Sequence, residues 1–253
     1  MPVAGVRVLG VDACPGGWVA VELTGGAFTG ARFATALRDI TDLTNPTDQA
    51  GPATPANAAD PTASTGQAFG MIAVDMPLGL LADGWRECDR VARAAAGPRR
   101  ASVFLVPPRP VWAVEEFTDA NALCRAMTGG GLTRQAWGLR PKVLEADALR
   151  AERPGALHEV HPELAFGAMA GAPLPFAKTT WAGAARRRTL LAGAGIALPD
   201  DLGAANTVPP VDVLDAAAAA WTAHRIATGT AGCLPDPGPG QLDDRGVPIG
   251  IWF

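Results

Sequence analysis

Nine side chains in this sequence have the type and spacing to do chemistry together. Asp12 ends the apolar run Val6-Arg7-Val8-Leu9-Gly10-Val11, and Asp75 follows a second apolar run, Met71-Ile72-Ala73-Val74. Glu159 and His161 stand two apart in a third strand candidate, so they project from one face. Asp212 and Asp215 stand three apart at the start of a long helical segment, on a face that continues through Ala219, Thr222 and Ile226. That stripe should pack on a sheet, and acids carried into such a position need a cation or strong donors. Arg86, Arg93 and Lys178 are the nearby positive candidates. Carboxylates converging from a first strand, a later strand and a C-terminal helix would suit two Mg²⁺ or Mn²⁺ ions, since hard oxygen ligands select hard cations. Two such ions about 3.5–4 Å apart activate water and stabilise a leaving oxygen in phosphodiester cleavage.

Simpler roles compete at several of these positions. Asp212 can cap its helix or complement its dipole. His161 can cap a helix begun by Pro162. Arg86, Arg90 and Arg93 follow helical spacing and form either a phosphate-facing stripe or a solvated face with internal ion pairs such as Arg86 to Asp89. His224, late in the last helix, reads as a surface or core-edge residue.

The elements that must position these groups follow from periodicity and punctuation. The first strand turns at Pro15-Gly16-Gly17 into a second, Val19–Leu23, with a third over Ala27–Thr35 and a short helix over Ala36–Leu43. Asn45–Gly70, rich in Pro, Ala, Thr, Asn and Asp, reads as a low-complexity surface insertion. A buried strand over Met71–Pro77 comes next, then a mostly helical insertion over residues 82–155. Within it lie helices over Gly84–Ala96, Glu115–Met127 and Pro141–Glu152, and a short strand over Ser102–Arg109 broken by Pro107-Pro108. A strand over Ala156–His161 and helices from Pro162, from Thr179 or Thr180, and over Val211–Thr228 complete the body. The apolar end, Ile249–Phe253, is expected to dock back as a short strand or hairpin. The order predicts an α/β fold with a mixed five-stranded sheet whose first three strands form an antiparallel meander, in a single domain spanning residues 1–253.

Composition limits the alternatives. Hydrophobic residues make up 48% and charged residues 18% of 253 positions, as in an ordinary globular protein. No apolar run reaches the roughly 18 residues of a membrane span, and no secretory signal is visible, so a cytoplasmic protein with no membrane partner is expected. The four cysteines form no C-x-x-C pair, which argues against a zinc site. The net charge of −4 advertises no basic nucleic-acid face, although local arginine clusters set the field at a site more than the total does.

Six segments, in order from residue 9 to residue 225, resemble the DUF429 family: G-V-D-A-C-P-G-G-W-V, D-M-P-L-G-L, R-E-C-D-R-V-A-R, S-V-F-L-V-P-P-R, E-V-H-P-E and L-D-A-A-A-A-A-W-T-A. The family is of uncharacterised function and is described as predicted nucleases with an RNase H-like fold. The resemblance implies that Asp12, Asp75 and Asp215 hold metal, with Asp212 and His161 as further ligands. It makes Glu159 a shell residue or base, and Arg86, Arg93 and Lys178 phosphate contacts on a nucleic-acid substrate. Glu163, Glu87 and Asp89 belong to the matched segments. A double lysine expected after E-x-H-P-E is Ala177-Lys178 here, and the Asn45–Gly70 stretch is longer than the family leads one to expect. Two other readings remain open. One is an actin-like ATPase or phosphotransferase, which needs a second Gly-rich loop that only Thr128-Gly129-Gly130-Gly131 could supply. The other is a non-catalytic binding protein with a degenerate site.

Overall fold

A computed structural model describes residues 5–42, 69–235 and 240–253. Most of the stretch read as a surface insertion, residues 45–68, lies outside them. Strand β1 (Arg7–Cys14) turns through Pro15-Gly16 into β2 (Gly17–Thr24), with Cys14 opposite Gly17 and Gly16 at a φ of 78°. The two-residue turn Gly25-Gly26, both at positive φ, leads into β3 (Ala27–Ala34). Such a turn matches the twist of the strands that flank it and requires residues free to adopt that conformation. A short helix, α1 (Leu37–Thr41), follows.

Strand β4 (Met71–Asp75) pairs parallel with β1, and β5 (Leu157–Glu159) pairs parallel with β4. The sheet order is β3-β2-β1-β4-β5, which puts β1 at its centre. This is the mixed five-stranded sheet expected from the sequence, meander included.

Between β4 and β5 the chain forms α2 (Glu87–Ala95), a 3-10 helix (Gly97–Ser102), α3 (Arg109–Ala113), α4 (Phe117–Thr128), α5 (Arg134–Gly138) and α6 (Arg140–Glu152). The helix expected from Gly84 starts only at Glu87, with Arg86 extended at its N-cap. Ser102–Arg109 is not a strand. Pro107 and Pro108 cannot donate to a ladder, and Pro108 instead takes the N-cap position of α3. After β5 come α7 (Pro162–Ala170), α8 (Trp181–Gly193) and α9 (Pro210–Ala227). The apolar end does dock back: β7 (Ile251–Trp252) pairs with β6 (Cys233–Leu234), and Trp252 bridges to Val160 beside β5.

The two faces of the sheet bury different partners. Leu9, Val11, Val74 and Trp18 pack with Leu37 and with Val143, Ala146 and Leu149 of α6. On the other face Val8 and Ala73 pack with α9, whose run Ala216–Ala220 is entirely buried. Gly10 is what lets that helix lie so close. A Cβ built there would stand 1.9 Å from the Ala220 nitrogen and 2.3 Å from the Ala216 carbonyl oxygen. Small residues on both sides therefore bring the helix backbone onto the strand backbone, just below the acids that both elements carry. No helix among the described residues is long and apolar enough to cross a membrane.

Candidate metal centre

Alternation along β1 puts Asp12 on the face of Val8 and Gly10, and alternation along β4 puts Asp75 on the face of Ala73. The parallel register pairs Asp12 with Asp75. Both carboxylates thus leave the C-terminal ends of neighbouring strands toward α9. Asp215 meets them from the second turn of α9, where it is 1% exposed. One carboxylate oxygen from each of Asp12, Asp75 and Asp215 lies within 4.8 Å of the others. Asp212, one helical turn earlier and half-buried, borders the same space.

These acids repel one another out of reach of bulk water. Burial, reinforced by Asp75 and Asp215, raises the Asp12 carboxyl well above the usual carboxylate range. Burial pushes Asp75 up to about 7 and Asp215 up to about 6, in each case against the opposing pull of Lys178. Asp212 is raised as well, chiefly by burial. The Lys178 ammonium donates to Asp215 Oδ2, and although burial alone would lower its pKa, Asp215 and Asp75 raise it overall.

The donor set fits a hard divalent cation. Asp215 Oδ1 is buried without a hydrogen-bond partner among the described residues. Three ionised carboxylates and one ammonium leave two negative charges, which one divalent ion would neutralise. All-oxygen ligation of this kind suits Mg²⁺ or Mn²⁺ over softer metals.

The triad sits in a cleft of about 480 Å³ that Arg93, Glu159, His161, Glu163 and Lys178 also line. Proximity does not make all of these groups equivalent. Arg86 is 0% exposed and turned inward. Its Nη1 and Nη2 donate to the Glu159 carboxylate at 2.9 and 2.5 Å, its Nε and Nη2 donate to Asp89 Oδ1 at 3.0 and 2.6 Å, and Nη1 also reaches the Gly79 carbonyl at 3.2 Å. Glu159 accepts a further bond from the Leu78 N–H at 2.7 Å, and Asp89 from the Val106 N–H at 2.8 Å. Arg86 therefore departs from the phosphate-facing stripe expected of it, because α2 begins after it and not before it. The ion pair with Asp89 forms, but in the interior and not on the solvated face that the spacing left open as its alternative. Glu159 likewise stands apart from the clustered carboxylates, committed to holding the segment after β4.

His161 is the N-cap of α7. Its Nδ1 accepts from the Glu163 N–H at 3.3 Å and its Nε2 lies 3.3 Å from the Ser102 carbonyl, so the partners assign the proton to Nε2. Both ring nitrogens are engaged away from the triad. The glycine run after α4 serves as a helix end, with Gly129 at a φ of 74° and Gly130 against the Trp85 ring, and it does not line the cleft.

Two supporting groups escaped sequence reasoning. Arg187 binds both Glu163 oxygens at 2.7 and 2.8 Å and donates to the Phe176 carbonyl at 3.2 Å, which ties the loop carrying Lys178 to α7 and α8. It sits in the run Arg186-Arg187-Arg188, which reads as surface charge; nothing in the run marks its middle member as buried. Glu145 of α6 accepts from Trp18 Nε1 at 2.9 Å and from the Leu37 N–H at 2.5 Å, joining the opening hairpin to the insertion.

No curated protein and no solved structure matches the chain. A family model described as a protein of unknown function, DUF429, matches residues 10–239, most of the chain, and the chain belongs to that family.

Proposed function

We propose that the protein is a metal-dependent phosphodiesterase that acts on nucleic acid. The observation that carries the reading is the approach of Asp12, Asp75 and Asp215 within 4.8 Å at the ends of two parallel strands and a helix, with one Asp215 oxygen buried and unpaired. These three residues would hold Mg²⁺ or Mn²⁺, and the half-buried Asp212, which lines the same cleft, is the ligand available to a second ion. When bound, such ions polarise a phosphoryl oxygen and generate a nucleophile from water near neutral pH. The chain's own residues do the rest. Lys178 is the cation placed to orient a phosphate over the carboxylates, and Arg93, which also lines the cleft, offers a second positive contact. The Arg187–Glu163 pair fixes the loop that presents Lys178, and the Arg86–Glu159 pair fixes the segment that follows Asp75. The sequence resemblance to a family described as RNase H-like nucleases supports the same reading.

The test is cleavage of single-stranded, duplex, hybrid and branched substrates, and of bis(p-nitrophenyl) phosphate, with Mn²⁺ or Mg²⁺. Cleavage is expected to need the ion and to be lost in Asp12→Asn and Asp75→Asn. Turnover that survives both substitutions, or failure to cleave any of these substrates, would refute the proposal.

A further inference from the structure

The loop that carries Lys178 into the cleft differs in character from the acidic floor. All seven tryptophans lie among the described residues, and six are buried or half-buried; Trp181 is 90% exposed. It opens α8, three residues after Lys178, so their Cα atoms are at most about 11 Å apart. Phe176, 53% exposed, lies two residues before Lys178 on the same loop. That loop is held in place. Arg187 fixes the Phe176 carbonyl, Thr180 caps α8 through the Gly183 N–H, and Arg99 donates to the Pro175 carbonyl at 2.8 Å. The Arg99 contact brings in a basic segment, in which Arg93 and Arg100 are exposed and Arg93 also lines the cleft.

Two exposed rings on a loop that also carries Lys178 do not form a contiguous apolar patch of the kind that docks a protein. Two exposed aromatic faces flanking a cleft-lining cation on one loop match the physics of single-stranded nucleic acid, whose unstacked bases need a π surface and whose phosphates need positive charge. Duplex bases are already stacked and cannot use such a platform. Resting on the phosphodiesterase reading, we infer that the cleft takes a single-stranded nucleic acid, with a base stacked on Trp181, its neighbour directed to Phe176, and the intervening phosphates held by Lys178 and Arg93.

The experiment measures fluorescence anisotropy of labelled dT and U oligomers and of a blunt hairpin duplex, with Ca²⁺ replacing Mg²⁺ or Mn²⁺, over a range of salt. Wild type should prefer the single strands. Trp181→Ala should weaken their binding by about 5- to 150-fold, the worth of one base stack, and Trp181→Phe should restore most of it. Arg93→Ala should reduce the steepness of the salt dependence by about 0.7 in the log–log slope, as expected for one lost phosphate contact to a single strand. Circular dichroism confirms that each variant is folded.

Single-strand affinity within twofold of wild type in Trp181→Ala would overturn the inference. So would equal losses on single strand and duplex, or a change in self-association by analytical ultracentrifugation with oligomer binding intact. The two readings fail separately. Wild type that hydrolyses bis(p-nitrophenyl) phosphate while Trp181→Ala binds oligomers normally keeps the phosphodiesterase and loses the strand. Wild type that binds oligomers through Trp181 but hydrolyses no diester loses the phosphodiesterase.

Discussion

The Lys178 ammonium rests on Oδ2 of Asp215, while Oδ1 of the same carboxylate is buried with no hydrogen-bond partner among the described residues. One lysine therefore answers only part of the charge that Asp12, Asp75 and Asp215 bring together. It also shares the carboxylates with any ion that enters, and at this depth like charges repel strongly. Lys178→Met should therefore bind Mn²⁺ several-fold more tightly than wild type, measured by isothermal titration calorimetry. Its KM for a phosphodiester should rise, since the cation proposed to orient the phosphate is gone. Weaker Mn²⁺ binding in the variant would mean that Lys178 shapes the site and does not compete for it.

The raised carboxyls make the metal-free fold sensitive to pH in an unusual direction. Asp75 titrates at about 7 and Asp215 at about 6 in the folded chain, against an ordinary carboxylate value near 4 once unfolded. Between those limits the folded state binds more protons than the unfolded state, so stability falls as pH rises. In EDTA the stabilisation is fully present below about pH 4 and is lost as pH passes through 6 to 7, on the order of a few kcal/mol for Asp75. Thermal melts from pH 4.5 to 7.5 should show the decline, and Mn²⁺ should flatten it by favouring the ionised form. Asp75→Asn should melt higher than wild type in EDTA at pH 7, yet lose most of the Mn²⁺-dependent gain, which is about 2.7 kcal/mol at a hundredfold excess over Kd. A variant that melts lower in EDTA would show that the Asp75 carboxylate is not under repulsive strain.

Gly10 turns a packing detail into a condition for the site. Its missing side chain lets the Ala216–Ala220 backbone of α9 touch β1, two residues before Asp12 and directly after Asp215. Gly10→Ala should destabilise the fold by about 1–3 kcal/mol through overpacking against backbone that cannot rotate away. Gly10→Val should do worse. Because the helix must move outward, Mn²⁺ affinity should fall in Gly10→Ala although no ligand has changed. Chemical denaturation and calorimetry on the same preparation check both halves.

What could be read in the sequence followed from local periodicity. Alternation placed Asp12 at the end of a first strand, and i, i+3 spacing put Asp212 and Asp215 on one helix face. The apolar runs gave the five strands and the meander. Groups whose role depends on a distant partner could not be read this way. Arg86 shared helical spacing with Arg90 and Arg93, but the chain outside the helix turned it inward to meet Glu159, 73 residues on. His161 and Glu159 shared a strand face, yet one capped α7 and the other took an arginine. Pro107-Pro108 broke an apolar run too short to tell strand from extended loop. Arg187 was hidden among charged neighbours.

The Arg86–Glu159 pair yields the sharpest separation between holding the site and belonging to it. Both side chains are buried, and burial raises the Glu159 carboxyl even with a guanidinium against it. Removing one partner strands a charge without water, a loss of about 3–5 kcal/mol. Glu159→Gln should therefore lower the melting temperature markedly. Its Mn²⁺ affinity, measured below that melting temperature, should stay within a few-fold of wild type, because its oxygens already serve Arg86 and the Leu78 N–H. Replacing both partners by apolar residues, Arg86→Met with Glu159→Leu, should recover part of the stability that the single change loses, since no charge is left unpaired. Loss of Mn²⁺ binding in a folded Glu159→Gln protein would instead move Glu159 into the metal shell and make its pairing with Arg86 a resting arrangement that the ion breaks.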